Sequence, residues 1–172
     1  MKKLLFLGLL LSSCFIAAQA YPTFSNNNEI KFNAGLFIAT STVEGSYEYY
    51  LSEDTSFGGT VYFDNDATDY NGDFGIGANF RAYFGYQPRS GFFAEAFGLY
   101  YTGEDNEARD PLAFRDNEYS TVALGLGLGN KWATRSEKFT LEIHGGFGRN
   151  VNPEDFQDTF MYRAGLSVGF RF

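Results

Sequence analysis

The stretch Thr159-Phe160-Met161-Tyr162-Arg163-Ala164-Gly165-Leu166-Ser167-Val168-Gly169-Phe170-Arg171-Phe172 alternates along almost its whole length. Phe160, Tyr162, Ala164, Leu166, Val168, Phe170 and Phe172 fall on one face, and Met161, Arg163, Gly165, Ser167, Gly169 and Arg171 on the other. Successive side chains of a strand point to opposite faces, so this is a strand with one apolar and one polar side. A water-soluble sheet shows the same period, and the remaining sequence has to decide between the two.

The 172 residues include 20 Phe, 12 Tyr and 20 Gly, 19% are aromatic, and the net charge is −8. Aromatic residues favour strands. Beyond the amino-terminal leader no stretch approaches the roughly 18 apolar residues of a membrane helix. The acidic balance argues against nucleic acid, which needs a basic surface. Lys2 and Lys3, the apolar run Leu4 to Leu11 and the small residues of Ala18-Gln19-Ala20 read as a secretory signal over 1–20, leaving 21–172 as one barrel-sized domain. Leu11-Ser12-Ser13-Cys14 also resembles a lipobox, an alternative in which Cys14 is lipidated. Cleavage after Ala20 removes the sole cysteine, and with it any disulfide, thiol nucleophile or Cys-based metal site.

Eight strand-like runs recur. Glu29–Ala39 sets Ile30, Phe32, Ala34, Leu36 and Ile38 against Lys31 and Asn33, and Val43–Leu51 sets Val43, Tyr47 and Tyr49 against Glu44, Ser46 and Glu48. Phe57–Phe63 and Phe74–Phe84 follow, the latter with Arg81 on its polar side. Phe92–Tyr101 is ambiguous, because Glu95 shares a face with Phe93, Phe97 and Leu99. Leu124, Leu126 and Leu128 face away from Lys131, and Leu141, Ile143 and Phe147 away from Glu142 and His144, before the terminal run. Connections after the second, fourth and sixth runs are short, and those after the third, fifth and seventh are long and acidic: Asp64–Asp73, Thr102–Glu118 and Asn150–Asp158. Only Thr40–Thr42, after the first, breaks the contrast. Short turns at one end and long loops at the other are the layout of an outer-membrane barrel, and an even strand number puts both termini in the periplasm.

A sandwich, with its apolar faces packed together and its charges in water, is the competing arrangement. It accounts neither for the leader nor for the number of large aromatics near strand ends, among them Tyr49, Tyr50, Phe63, Phe84, Phe92, Tyr100, Tyr101, Trp132, Phe139 and Phe172. The expected fold is all-β, an eight-stranded antiparallel up-and-down transmembrane β-barrel.

Together the leader, the period-two strands and the terminal Arg163 to Phe172 resemble the small outer-membrane barrels of Gram-negative bacteria, the OmpX-like and OmpA-barrel-like proteins. The resemblance implies that Arg163, Gly165, Val168, Phe170 and Phe172 form the insertion signal read by the barrel-assembly machinery. It also implies contact with outer-membrane lipid and lipopolysaccharide.

Lys31, Arg81, Lys131, Arg163 and Arg171 nearly balance Glu44, Glu48, Glu95 and Glu142 on the faces that would line the lumen, with His144 beside them. Eight strands enclose a bore just wide enough for side chains to fill. These charges are therefore expected to pair and plug it, making the chain a non-enzymatic barrel that displays acidic loops to an unidentified surface or membrane partner. A narrow channel or ligand-binding barrel would need gaps in that network. A lipid-modifying enzyme would need a nucleophile near His144, but His144-Gly145-Gly146 has glycine where a lipid A deacylase-like motif has serine. An interior, hydrogen-bonded histidine is the expectation, with no catalytic residue and no cofactor. The acidic run Asp64 to Asp73 could offer oxygen ligands to Ca²⁺ but lacks the Gly and Glu of an EF-hand loop, so no metal is assigned.

Overall fold

The computed structural model describes residues 26–64, 72–85, 87–104, 118–151, 153 and 158–172. The leader, Cys14, and the centres of the acidic stretches at 65–71 and 105–117 lie outside them. Eight strands close into one barrel in sequence order: β1 (Asn28–Asn33), β2 (Val43–Tyr50), β3 (Thr55–Phe63), β4 (Phe74–Tyr83), β5 (Gly91–Glu104), β6 (Glu118–Ala133), β7 (Phe139–Val151) and β8 (Phe160–Arg171). Every neighbouring pair is antiparallel. Closure is made by β1 on β8, from Glu29 opposite Arg171 to Asn33 opposite Ser167. Phe172 continues that ladder, exchanging backbone hydrogen bonds with Asn28 at 2.9 and 3.2 Å. A closed sheet leaves no unpaired edge, which suits a chain this rich in exposed β-formers.

The first run departs from the expected strand. After Asn33 the chain forms a helix, α1 (Ala34–Thr40). The alternation had already stopped there, since Ala34, Gly35, Leu36, Phe37, Ile38 and Ala39 are all apolar, and Asn33 is a good N-cap. Its side-chain oxygen accepts from the backbone N–H of Leu36 at 3.1 Å and of Leu166 at 3.2 Å, while its amide donates to Glu44 at 3.3 Å. Ser41 ends the helix in the left-handed region, its N–H bonded to the Phe37 carbonyl. A side chain at Gly35 would strike the Cβ and backbone of Leu166, so glycine lets α1 lie directly against β8. The β1–β2 connection is therefore 34–42, which removes the single exception to the contrast between short and long connections.

Two further expectations change. Tyr50 and Tyr101 do not sit at an outer rim: each is inward and buried, while Tyr49 and Tyr100 beside them point outward. The ambiguity of β5 is resolved with Phe93, Glu95, Phe97 and Leu99 all facing the lumen.

Inward glycines make room for inward rings. A Cβ on Gly75 would meet the ring of Tyr62, and one on Gly129 the ring of Phe93. At Gly125 it would meet Phe97 and, behind it, the backbone of Phe147 and Gly148. Gly125→Leu is expected to overpack this wall at a cost of about 1–3 kcal/mol. Outward-facing Gly98, whose added Cβ would meet Leu124 and the Ala123 carbonyl at ordinary contact distances, should accept alanine far more readily. Urea midpoints of the two variants compare them, and equal midpoints would show that the lumen wall is not tightly packed.

Candidate functional site

Every charged residue expected in the lumen lies there, and the lumen is layered. Towards the end bearing Asn26 and Phe172, Tyr50, Tyr83 and Phe93 form an aromatic floor. Arg89, in the turn between β4 and β5, lies beneath it, 5.1 Å from the Tyr50 ring centre and bonded to the Asn26 carbonyl. Above the floor is a charged layer. Towards the opposite end, Tyr62, Phe97, Leu99, Tyr101, Ala123 and Met161 pack into an apolar stopper.

Glu48 is the hub of the charged layer. It accepts from Lys31 and Lys131 at 2.7 Å each, from Arg81 at 3.2 Å, from Ser56 at 2.5 Å, and from the Tyr83 hydroxyl. Glu142 receives the same three cations, Arg81 at 2.9 Å and both lysines at 3.2 Å. Arg81 also donates to Glu95 at 2.7 Å, to which Asn79 adds a bond at 2.8 Å. Arg163 bridges Glu44 and Glu95 more loosely, at 3.8 and 3.6 Å, with its guanidinium 5.1 Å from the Phe97 ring centre.

Sequence reasoning missed Glu29. It is fully buried and accepts from Arg171 at 2.8 Å, Thr140 at 2.7 Å and the Tyr50 hydroxyl. With it, carboxylates Glu29, Glu44, Glu48, Glu95 and Glu142 equal in number the cations Lys31, Arg81, Lys131, Arg163 and Arg171 among the buried charges of the described strand residues, with Arg89 of the turn below them. The signal was available: Glu29 shares the parity of Lys31, on the polar side of β1.

Carboxylate oxygens of Glu29, Glu48 and Glu142 lie within 4.8 Å of one another, a spacing that could suit a divalent ion. Here the Lys131 ammonium already stands among them, 3.3, 2.7 and 3.2 Å from the three. An ion would have to displace a buried cation, so the residues present fit a protein-supplied charge better than a metal.

His144 lies in the lumen against Glu142. Its Nδ1 faces Glu142 Oε1 at 3.4 Å, and neither atom has a hydrogen bond of ordinary geometry among the described residues. A proton on Nδ1 is the arrangement that gives both a partner. The register sets Ser167 opposite Glu142, but Ser167 is buried and no hydrogen bond joins it to His144 among the described residues.

Of the insertion-signal residues, Val168, Phe170 and Phe172 face outward, the last two rings stacked with centroids 6.4 Å apart. Arg163 instead points into the lumen, and Gly165 lies against Asn33 and His144.

A closed eight-stranded up-and-down barrel, charged within and apolar without, is the fold class these observations define. Among solved structures, the N-terminal β-barrel domain of Pseudomonas aeruginosa OprF is similar, with a TM-score of 0.62 and 18% identity over 85% of this chain and 98% of that one. At that identity the likeness is one of fold. No family model and no curated protein matches the chain.

Proposed function

We propose that the protein is a non-enzymatic outer-membrane barrel with a closed lumen, acting as a scaffold that presents its long connections at the cell surface. One observation carries this reading: the distribution of polarity is inside out. The lumen is lined by paired charges, while Ile30, Phe57, Leu126, Phe147, Phe160 and many other large apolar side chains are exposed on the outer wall. Soluble proteins rarely expose contiguous apolar patches beyond a few hundred Å². A band of lipid-facing apolar residues with aromatics near its edges is the pattern of a transmembrane barrel.

In this reading the end with Asn26 and Phe172 is periplasmic, and α1 with the 64–73, 105–117 and 152–159 connections is extracellular. Outer-membrane lipid and lipopolysaccharide surround the wall. The barrel-assembly machinery reads the last strand, with outward Phe170 and Phe172 the side chains best placed for it. The acidic connections make whatever contact with a surface or membrane partner the cell uses.

The charged layer and the apolar stopper lie in series, so a solute would have to pass both. Planar bilayers containing the folded protein are expected to show no discrete conductance steps, and regular steps would replace the closed barrel with a narrow channel. Unchanged lipid A in cells overproducing the protein is the matching expectation for a non-enzyme.

A further inference from the structure

Arg149 stands apart from every other charge in the barrel. Among residues whose side chains are described, it is the one charged group on the outer wall of the strands, exposed near the end of β7. Its cross-strand neighbours are Leu124 on β6 and Phe160 on β8, both apolar and exposed. Acidic residues are present at the same end, Asp64, Asp73 and Asp158 among them, yet Arg149 pairs with none of the described residues. A guanidinium carries five N–H donors and no acceptor, and in a wall facing hydrocarbon it has no bulk water to satisfy them. Its depth follows from the ladder. Leu128 lies midway between Trp132 and Leu124, and Leu124 is opposite Arg149, so Arg149 stands about 13 Å along the strand from the centre of the apolar band. With the usual strand tilt this is about 10 Å along the membrane normal, just inside the edge of a band ~25 Å tall and within an arginine side chain's reach of the headgroups.

We propose that Arg149 is a binding site for the phosphate of an outer-leaflet lipid headgroup. The inference rests on the membrane orientation given above. The aliphatic stem lies along the apolar wall while the guanidinium reaches to the headgroup level, as long basic side chains do at such edges. Its planar fork matches two phosphate oxygens. The exposed rings and leucines on either side, Phe160 and Leu124, receive the acyl chains of the same lipid. Asp64, Asp73 and Asp158 at the same end disfavour free anions from the water side, which leaves the lipid side as the source of the phosphate.

The test uses the full mature chain folded in detergent micelles. Native mass spectrometry reads adducts with bisphosphorylated lipid A, with the same lipid after phosphatase treatment, and with lipid A in the presence of millimolar inorganic phosphate. Heat-modifiable gel migration reads the barrel in parallel. Wild type is expected to retain lipid A at least about tenfold more strongly than its dephosphorylated form, as the loss of a charge-assisted hydrogen-bond pair implies. Arg149→Gln should abolish that preference, Arg149→Lys should keep part of it, and inorganic phosphate should not compete. Equal retention of both lipids by folded wild type overturns the proposal, as does an undiminished preference in folded Arg149→Gln. Competition by inorganic phosphate overturns the lipid as the source. The wild-type comparison stands even where Arg149→Gln does not fold. A wild type that never becomes heat-modifiable instead removes the membrane-barrel reading on which the site depends, and so separates the two failures.

Discussion

Replacing Glu48 by alanine is expected to destabilise the folded barrel by about 3–5 kcal/mol, the cost of removing one partner from a buried ionic cluster. The magnitude follows from what stays behind. Lys31, Lys131 and Arg81 each lose a carboxylate oxygen within 2.7 to 3.2 Å, and the Ser56 and Tyr83 hydroxyls lose their acceptor. Glu142 remains close to all three cations, Glu95 still holds Arg81 and Glu29 still faces Lys131, but Lys31 is left with Glu142 as its one carboxylate among the described residues. The buried charges of the strands, now balanced five against five, would also become net positive. Urea unfolding in lipid vesicles measures the loss, with the fluorescence of Trp132, the single tryptophan, as reporter. Trp132 is on the outer wall, so its signal follows transfer between lipid and water. The double variant Glu48→Ala with Lys131→Met should recover a substantial part of the loss, because it restores the charge balance and leaves fewer unpaired cations. A single variant within about 0.5 kcal/mol of wild type would mean that water, not Glu48, satisfies these cations. That result would also undo the closed lumen.

The architecture was legible because a barrel wall has a period of two everywhere, and its two faces differ in polarity along most of every strand. At the positions that differ from expectation, polarity ceases to report the face. Glu29 precedes the first apolar residue of β1, so it reads as a solvated strand end, although its parity matches Lys31. In the pairs Tyr49-Tyr50 and Tyr100-Tyr101 one ring must point inward, yet two adjacent tyrosines look like an interfacial belt. In β5 the lumen itself is apolar at the level of Phe97 and Leu99, so the inward face there is not the charged one. Nothing local separates that case from an ordinary core strand. The helix α1 looks like a strand in sequence because its every-residue apolarity contains an alternating set, and its N-cap Asn33 has the parity of a strand's polar side. Partners within the lumen could not be read at all. Lys31 and Glu142 lie 111 residues apart and meet only because closure of β1 on β8 brings the two walls together.

Leu128→Arg is expected to cost about 2–4 kcal/mol in a bilayer, the penalty for a cation at the midplane of a barrel's lipid face. Leu128 is outward and exposed, and its cross-strand neighbours are Ala94 and Gly145, small residues that leave an arginine sterically free. Packing therefore contributes little to the effect, and solvent decides its sign. Were the barrel a water-soluble one, arginine at this exposed position would be neutral or favourable, and Leu128→Ala would behave like it. In lipid the two diverge, because alanine only trims apolar contact whereas arginine must reach past two further rows of apolar side chains to find water. Depth provides the internal control. Val122→Arg, on the same face of β6 and beyond the level of Arg149, should cost about 0–1 kcal/mol. Measured by urea midpoints in vesicles, a large gap between Leu128→Arg and Leu128→Ala together with a small one at Val122 would place the hydrocarbon between Trp132 and Arg149. Coincident midpoints for the two Leu128 variants would mean that the outer wall faces water, and the inside-out polarity would then require a protein partner covering the entire barrel.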